Sequence, residues 1–250
     1  MDGNKDNCIT VLLTSSPTRE IGPDCRRPEL YRDNGFVDRL AERWPEGGRC
    51  LMIAAFPAEH DRNDEMTGFY RAAVENAGLP VACFDLWDDR SQTPESLGGY
   101  DVIFLAGGHI ATEMAWFRAI GLRGLLEGWS GLVIGTSAGS MNAARDVYAW
   151  PEEPGETYLP PENLFHPGLG LAETLVLPHL NKLAGARLDG RLLVEDIARD
   201  HSWGRRFYAI PDGSFVLAEG GAEWLFGEAL RIADGEITPF CRYGESRRVT

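Results

Sequence analysis

Positive charge is the scarcer sign in this sequence: Lys and Arg total 24 against 38 Asp and Glu, a formal net charge of −14 over 250 residues. At long range that field repels nucleic acid and anionic membrane, so neither is an expected partner. Cysteine is also sparse. Cys8, Cys25, Cys50, Cys83 and Cys241 are odd in number and widely scattered. Three lie in or beside apolar runs, which suits core thiols better than a disulfide frame or a zinc site. No metal and no other cofactor is expected. Neither G-x-G-x-x-G nor a Walker sequence occurs, which argues against a glycine-rich phosphate loop. Long apolar runs are missing as well. The start, Met1-Asp2-Gly3-Asn4-Lys5-Asp6, is polar, and the apolar stretch at 9–13 is too short for a signal-peptide core or a membrane span. The expectation is a soluble cytoplasmic protein. No linker, repeat or low-complexity tract divides the chain, which predicts one α/β domain over residues 1–250. Nothing in the sequence specifies an oligomeric state.

What is present is ample apolar material, 44% of residues, laid out in alternating units. Short β-rich runs at 9–14, 50–56, 81–86, 102–106 and 132–135 alternate with helical patterns near 36–44, 67–77 and 113–129. That order specifies parallel strands joined by crossover helices. Several runs are continuous rather than alternating, as expected of strands covered on both faces. The predicted fold class is therefore α/β, a three-layer sandwich with a mostly parallel central sheet. Beyond residue 145 comes a Pro- and Glu-rich stretch at 151–167. A run at 171–177, a helix near 191–200 and strands at 207–210, 214–218 and 229–232 follow, with Pro211-Asp212-Gly213 as a turn between two of them. A loop as long as 151–167 is usually functional or mobile.

The stretch with most chemistry is Gly135-Thr136-Ser137-Ala138-Gly139, joining the apolar run at 132–135 to a small-residue helix start. It reads as a nucleophile elbow. A serine on so tight a strand-to-helix turn needs small neighbours two before and two after, and glycine occupies both places. A serine hydroxyl needs a base, and histidine titrates in the working range. Of His60, His109, His166, His179 and His201, His179 stands just past Thr174-Leu175-Val176-Leu177-Pro178. That is the carboxyl end of a predicted strand, the edge where open α/β sheets place their sites. His60, in Glu59-His60-Asp61-Arg62-Asn63-Asp64, reads as part of a solvated polar loop. A carboxylate should orient the base. Between Ser137 and His179 lie Asp146, Glu152, Glu153, Glu156, Glu162 and Glu173, of which Glu152, or failing that Glu153, reaches His179 most easily. Ala106-Gly107-Gly108-His109 ends another strand. Its Gly108 N–H, with the Ala138 N–H, could form an oxyanion hole.

Taken together, Ala106-Gly107-Gly108, the helix with Gly121-Leu122-Arg123-Gly124-Leu125-Leu126, the elbow at 135–140, and Gly168-Leu169-Gly170-Leu171 leading to Leu177-Pro178-His179 resemble the dipeptidase E and cyanophycinase family of serine peptidases. The fold of that family is similar to that of class I glutamine amidotransferases. The resemblance is specific over about 101–180. It implies a serine peptidase acting on short peptides or isopeptides, with a Ser-His dyad at Ser137 and His179. It also implies a third acidic member in the loop after the elbow and oxyanion donors at Gly108 and Ala138. Two segments depart from the family: His109 and Ile110 replace the Asn and Thr that often follow the glycines, and 185–191 does not match the segment that helps dipeptidase E recognise an acidic side chain. If acidic substrates are recognised, Arg187, Arg191 and protonated His109 are the cations available. Two other readings stay open: an esterase, whose histidine would ordinarily come nearer the chain end, and a non-catalytic binding protein that has kept the elbow.

Overall fold

The computed structural model describes residues 9–19, 27–92 and 94–249; Cys8 and Cys25 fall outside them. The first half of the chain is a run of β/α units. These are β1 (Thr10–Thr14), α1 (Phe36–Ala41), β2 (Gly48–Ile53), α2 (His60–Asn76), β3 (Val81–Trp87), β4 (Val102–Leu105), α3 (Ile110–Ala119), α4 (Leu122–Leu126), β5 (Leu132–Thr136) and α5 (Ala138–Ala143). The second half is richer in strands. It contains β6 (Asp146–Tyr148), β7 (Phe165–Pro167), β8 (Leu175–Leu177), α6 (Leu180–Leu183), β9 (Arg187–Leu188), β10 (Arg191–Leu192), a π-helical turn over Leu193–Ala198 and α7 (Arg199–His201). It closes with β11 (Arg206–Ala209), β12 (Phe215–Glu219), β13 (Ala222–Phe226), β14 (Ala229–Ala233), β15 (Glu236–Cys241) and β16 (Ser246–Arg248).

The central sheet has eight strands in the order β16-β13-β12-β1-β5-β4-β2-β3. From β1 to β3 every pairing is parallel, and β12, β13 and β16 extend the other edge antiparallel. Side chains alternate across it. Leu12, Met52, Phe104 and Ile134 join Phe36, Val37, Leu40, Tyr70 and Val74 from α1 and α2 in one buried cluster. Val11, Leu13, Ile53, Leu105 and Val133 join Phe117, Leu122, Leu126 and Met141 in the other. Strands buried on both faces leave no polar side, which is why these runs read as continuously apolar. The expected three layers with a mostly parallel central sheet are present.

A second sheet, β15-β14-β11-β8, packs through the second cluster, to which Val176, Phe207, Ala209 and Ile232 contribute. Within it β8 and β11 run parallel, with Leu177 opposite Ala209. Their carboxyl ends therefore lie side by side.

Several boundaries differ from those expected. Helix α2 begins at His60, so the polar segment read as a loop is its N-cap and first turn, and His60 is paired with Asp89 at 2.5 Å. The helix expected over 113–129 is two helices, broken where Gly121 takes φ +64°. The run at 171–177 narrows to β8, and the Pro- and Glu-rich stretch contains two short 3-10 turns, Glu156–Tyr158 and Pro161–Asn163.

Candidate active site

Ser137 sits between β5 and α5 at φ 50°, ψ −113°, a conformation that non-glycine residues seldom adopt. The turn is held from below. Ser140, fully buried, accepts from Thr14 N–H and donates to Thr14 O, each at 2.8 Å, and so ties α5 to β1. The two flanking glycines are required by contact. A Cβ on Gly135 would lie 2.7 Å from the Ser140 Cα, and one on Gly139 would run into the Leu105 carbonyl and lie 2.7 Å from the Ala106 oxygen.

The neighbouring strand end brings Gly107 and Gly108 against the elbow. A Cβ on Gly107 would stand 3.3 Å from the Ser137 Cβ, and one on Gly108 would meet Ala55 Cβ and the Phe56 ring at 2.6 Å. Only glycine fits at position 108. Among the described residues no backbone acceptor takes the N–H of Gly108 or of Ala138.

His179 Nε2 is 2.9 Å from Ser137 Oγ. On the other side of the ring, Nδ1 lies 2.8 Å from Asp212 Oδ1. Side-by-side strands produce this contact. The chain leaves β8 at Leu177 and β11 at Ala209, the Ile210 N–H donates to Leu177 O, and the Leu180 N–H donates back to Ile210 O. His179 is forced into the left-handed region, φ 60° and ψ 34°. Ser15, just beyond β1 and fully buried, holds it there. Its hydroxyl accepts from the His179 N–H at 2.7 Å and donates to Asp212 Oδ1 at 2.5 Å. Lys182 Nζ lies 3.5 Å from Asp212 Oδ2. Burial alone would push the Asp212 carboxyl up, but hydrogen bonds from His179 and Ser15 and the charges of His179 and Lys182 outweigh it and hold this acid well below the usual carboxylate range. An ionised Asp212 gives the Nδ1 side of the ring an acceptor, and Nε2 is the ring nitrogen that faces the Ser137 hydroxyl.

The expected orienting acid is corrected by this geometry. Glu152 does not meet His179; its carboxylate accepts from the Ile110 N–H at 3.2 Å and lies 3.6 Å from His109 Nε2, with burial raising its pKa. Glu153 is exposed, its N–H donating to Glu156 Oε2. The order Ser, acid, His is replaced by Ser137, His179, Asp212. His109 caps α3 by accepting from the Thr112 N–H. Arg187 donates to Gly190 O at 2.8 Å and Arg191 to Asp200 at 2.5 Å. The first bond closes the β9–β10 hairpin and the second ties β10 to α7. His201 is buried on Tyr148 Oη, its pKa lowered by burial, and His166 lies on β7. Among the described residues no group of three or more His, Cys, Asp or Glu side chains is placed to hold a metal ion, and no helix is long and apolar enough to cross a membrane.

Sequence reasoning passed over Ser15 and Asp212. The available signal for Asp212 was its place two residues beyond the run at 207–210, after a proline, as His179 stands two residues beyond Leu177.

No family model and no curated protein matches the chain by sequence. Solved structures do match by shape. A peptidase from an acI-B1 Actinobacterium superimposes with a TM-score of 0.66 at 18% identity, over 97% of this chain and 97% of that one. A Listeria monocytogenes EGD-e protein provisionally assigned as a peptidase E gives 0.52 at 18% identity, over 97% and 99%. At that identity the likeness establishes the fold, an α/β architecture with a large, mostly parallel central sheet of the class I glutamine amidotransferase-like kind.

Proposed function

We propose that this chain is a serine hydrolase of short peptides or isopeptides. The observation that carries the reading is the unbroken line from Ser137 Oγ to His179 Nε2 at 2.9 Å and from His179 Nδ1 to Asp212 at 2.8 Å. His179 takes the Ser137 proton as the hydroxyl oxygen attacks the substrate carbonyl carbon. Asp212 keeps the ring oriented and offsets the charge it gains. The negative charge that develops on the carbonyl oxygen is met by the N–H groups of Gly108 and Ala138. His179 then hands its proton to the leaving amine, and a water deprotonated by the same ring releases the acyl group from Ser137. The likeness in fold to two structures described as peptidases favours an amide over an ester substrate.

Short substrates fit the loop that follows the elbow. Glu152 anchors it beside the Gly108 strand end, and Asp189 staples its far part by accepting from the Gly155 N–H and the Thr157 hydroxyl. Arg187 and Arg191 are engaged elsewhere, while Glu152, Glu153 and Glu156 gather at the start of the loop. The site is therefore proposed not to select acidic side chains. His109 is the remaining candidate for a substrate contact.

A fluorophosphonate probe tests the reading. Covalent labelling of the parent that disappears in Ser137→Ala is the expected result, together with a loss of kcat of about 10⁶ on the best dipeptide or isopeptide of a panel. Turnover by Ser137→Ala within about tenfold of the parent would falsify the nucleophile. An unlabelled parent that nonetheless binds peptides would favour a non-catalytic binding protein.

A further inference from the structure

One face of the second sheet brings two arginines together, and a third joins them from β16. In register, Tyr208 on β11 lies opposite Arg231 on β14, and Arg231 lies opposite Thr238 on β15. Arg206 is two residues before Tyr208 and so shares its face. Arg247 reaches the same place from β16: its guanidinium lies 4.8 Å from the centre of the Phe240 ring, and it donates to Phe240 O at 3.0 Å. These residues surround a cavity of about 350 Å³.

Three features mark this cavity as more than a solvated surface. Arg206, Arg231 and Arg247 line one cavity to which no Asp or Glu contributes, and among the described residues none of the three has a carboxylate within ion-pairing distance. In a chain with fourteen excess negative charges, three cations around one cavity repel one another and leave a local positive field that favours an added anion. The second feature is Tyr208. The residue is buried and its ring packs edge-on against Phe240, yet it lines the cavity, and its hydroxyl has no hydrogen bond within the protein among the described residues, so the oxygen can meet a ligand there. Third, the guanidinium is a planar fork of donors that matches an oxyanion two oxygens at a time, and three such forks exceed what one carboxylate can accept.

We propose that this face is a binding site for a small, multiply charged oxyanion, a phosphate or diphosphate group, separate from the Ser137 centre and independent of the function assigned there. Arg206, Arg231 and Arg247 supply charge and paired N–H donors, and the Tyr208 and Thr238 hydroxyls add two more. The Phe240 ring fixes the position of the Arg247 guanidinium. The anion balances a charge excess that the protein leaves open.

Isothermal titration with inorganic pyrophosphate at low ionic strength tests this, with inorganic phosphate and the dicarboxylate glutarate as companions. Saturable one-site binding of pyrophosphate is expected, tighter than phosphate and much tighter than glutarate. Arg231→Gln and Arg206→Gln should each weaken it by at least about tenfold, whereas Arg71→Gln, which removes the same charge from α2, should leave it unchanged. Circular dichroism confirms that each variant is folded, and the two site variants serve as independent checks should one fail to fold. No saturable binding up to about 10 mM pyrophosphate, a range in which only contacts weaker than about 3 kcal/mol escape detection, overturns the site. Equal weakening by Arg71→Gln reduces the effect to general charge, and glutarate binding as tight as pyrophosphate overturns the phosphate class.

Discussion

Asp212 is nearly buried, and a carboxylate taken out of water resists ionisation. It ionises because Ser15 and His179 donate to one oxygen while Lys182 stands near the other. Its folded pKa is thus below its unfolded one, so the stabilisation is present above the ordinary carboxylate range and is lost as pH falls through the folded value. Asp212→Asn should therefore lose less stability than the parent between about pH 5 and about pH 3 in urea titrations. The same substitution should cut kcat by about 10⁴, because the ring loses the partner that keeps its proton on Nδ1. Glu152→Gln should stay within about tenfold of the parent, since its carboxylate serves the α3 N-terminus and not the imidazole. If the two variants exchanged these effects, the orienting role would belong to Glu152. At this scale Ser137 and His179 were legible because each stands at the end of an apolar run beside small or strand-ending residues. Asp212 was not, because Pro211-Asp212-Gly213 has turn chemistry and the search for an acid was confined to the interval between serine and histidine. Nothing in linear order reveals that β11 pairs with β8.

Among the elements, the crossing of α5 over β4 depends on bare backbone. Gly139→Ala places a methyl group against the carbonyls of Leu105 and Ala106, and neither strand nor helix can retreat without opening the core. A loss of about 1–3 kcal/mol or more in unfolding free energy is expected, with the m-value unchanged. Gly124→Ala, where a Cβ meets nothing within 4 Å, should be neutral or slightly stabilising. Helix α3 carries a different strain. Glu113 is fully buried, and burial raises its pKa well above the ordinary value despite the hydrogen bond it accepts from Asn142 Nδ2. Its contribution is complete below the unfolded pKa and is lost as pH rises through the folded one. Stability of the parent should decline toward alkaline pH, and Glu113→Gln, neutral at every pH and of the same shape, should remove that decline in thermal melts from about pH 6 to about pH 9. Strands β1, β4 and β5 were legible because both faces are covered and the runs are almost wholly apolar, while β2 and the edge strand β3 kept enough apolar residues around Arg49 and Asp85 to be read as strands. The first turn of α2 was hidden by its charge. Strands β13, β15 and β16 were hidden by Trp224, Pro239 and exposed arginines on faces that are half solvated.

For the molecule as a whole, net charge sets a bias that no single residue reveals. A field of fourteen excess negative charges draws cations toward the surface and repels anions, and it acts only within a Debye length. Cationic dipeptides should show a higher kcat/KM than acidic ones at about 10 mM salt, where that length is about 30 Å. The advantage should shrink at about 1 M, where it is about 3 Å. An acidic dipeptide preferred at every salt concentration would require a local cation that overrides the global field, reopening a role for Arg187 or Arg191. The outline of the molecule, helices on a parallel sheet, was legible from alternation alone. The second sheet was not, because its strands are short and pair across large separations in sequence, as Leu175 does with Phe207.

That second sheet changes what the distance between serine and histidine measures. Ser137 rides on the eight-stranded sheet, whereas His179 and Asp212 ride on the four-stranded one, and Ser15, at the end of β1, is the rivet that joins them. The 2.9 Å between Ser137 Oγ and His179 Nε2 is therefore a gauge of how the two sheets are seated, and a hydrogen bond tolerates only a few tenths of an ångström before it weakens. Slippage too small to disturb either sheet's own ladder is enough to part the proton from its acceptor. Heating should extinguish turnover several degrees before the far-ultraviolet dichroism changes, and Ser15→Ala should widen that gap.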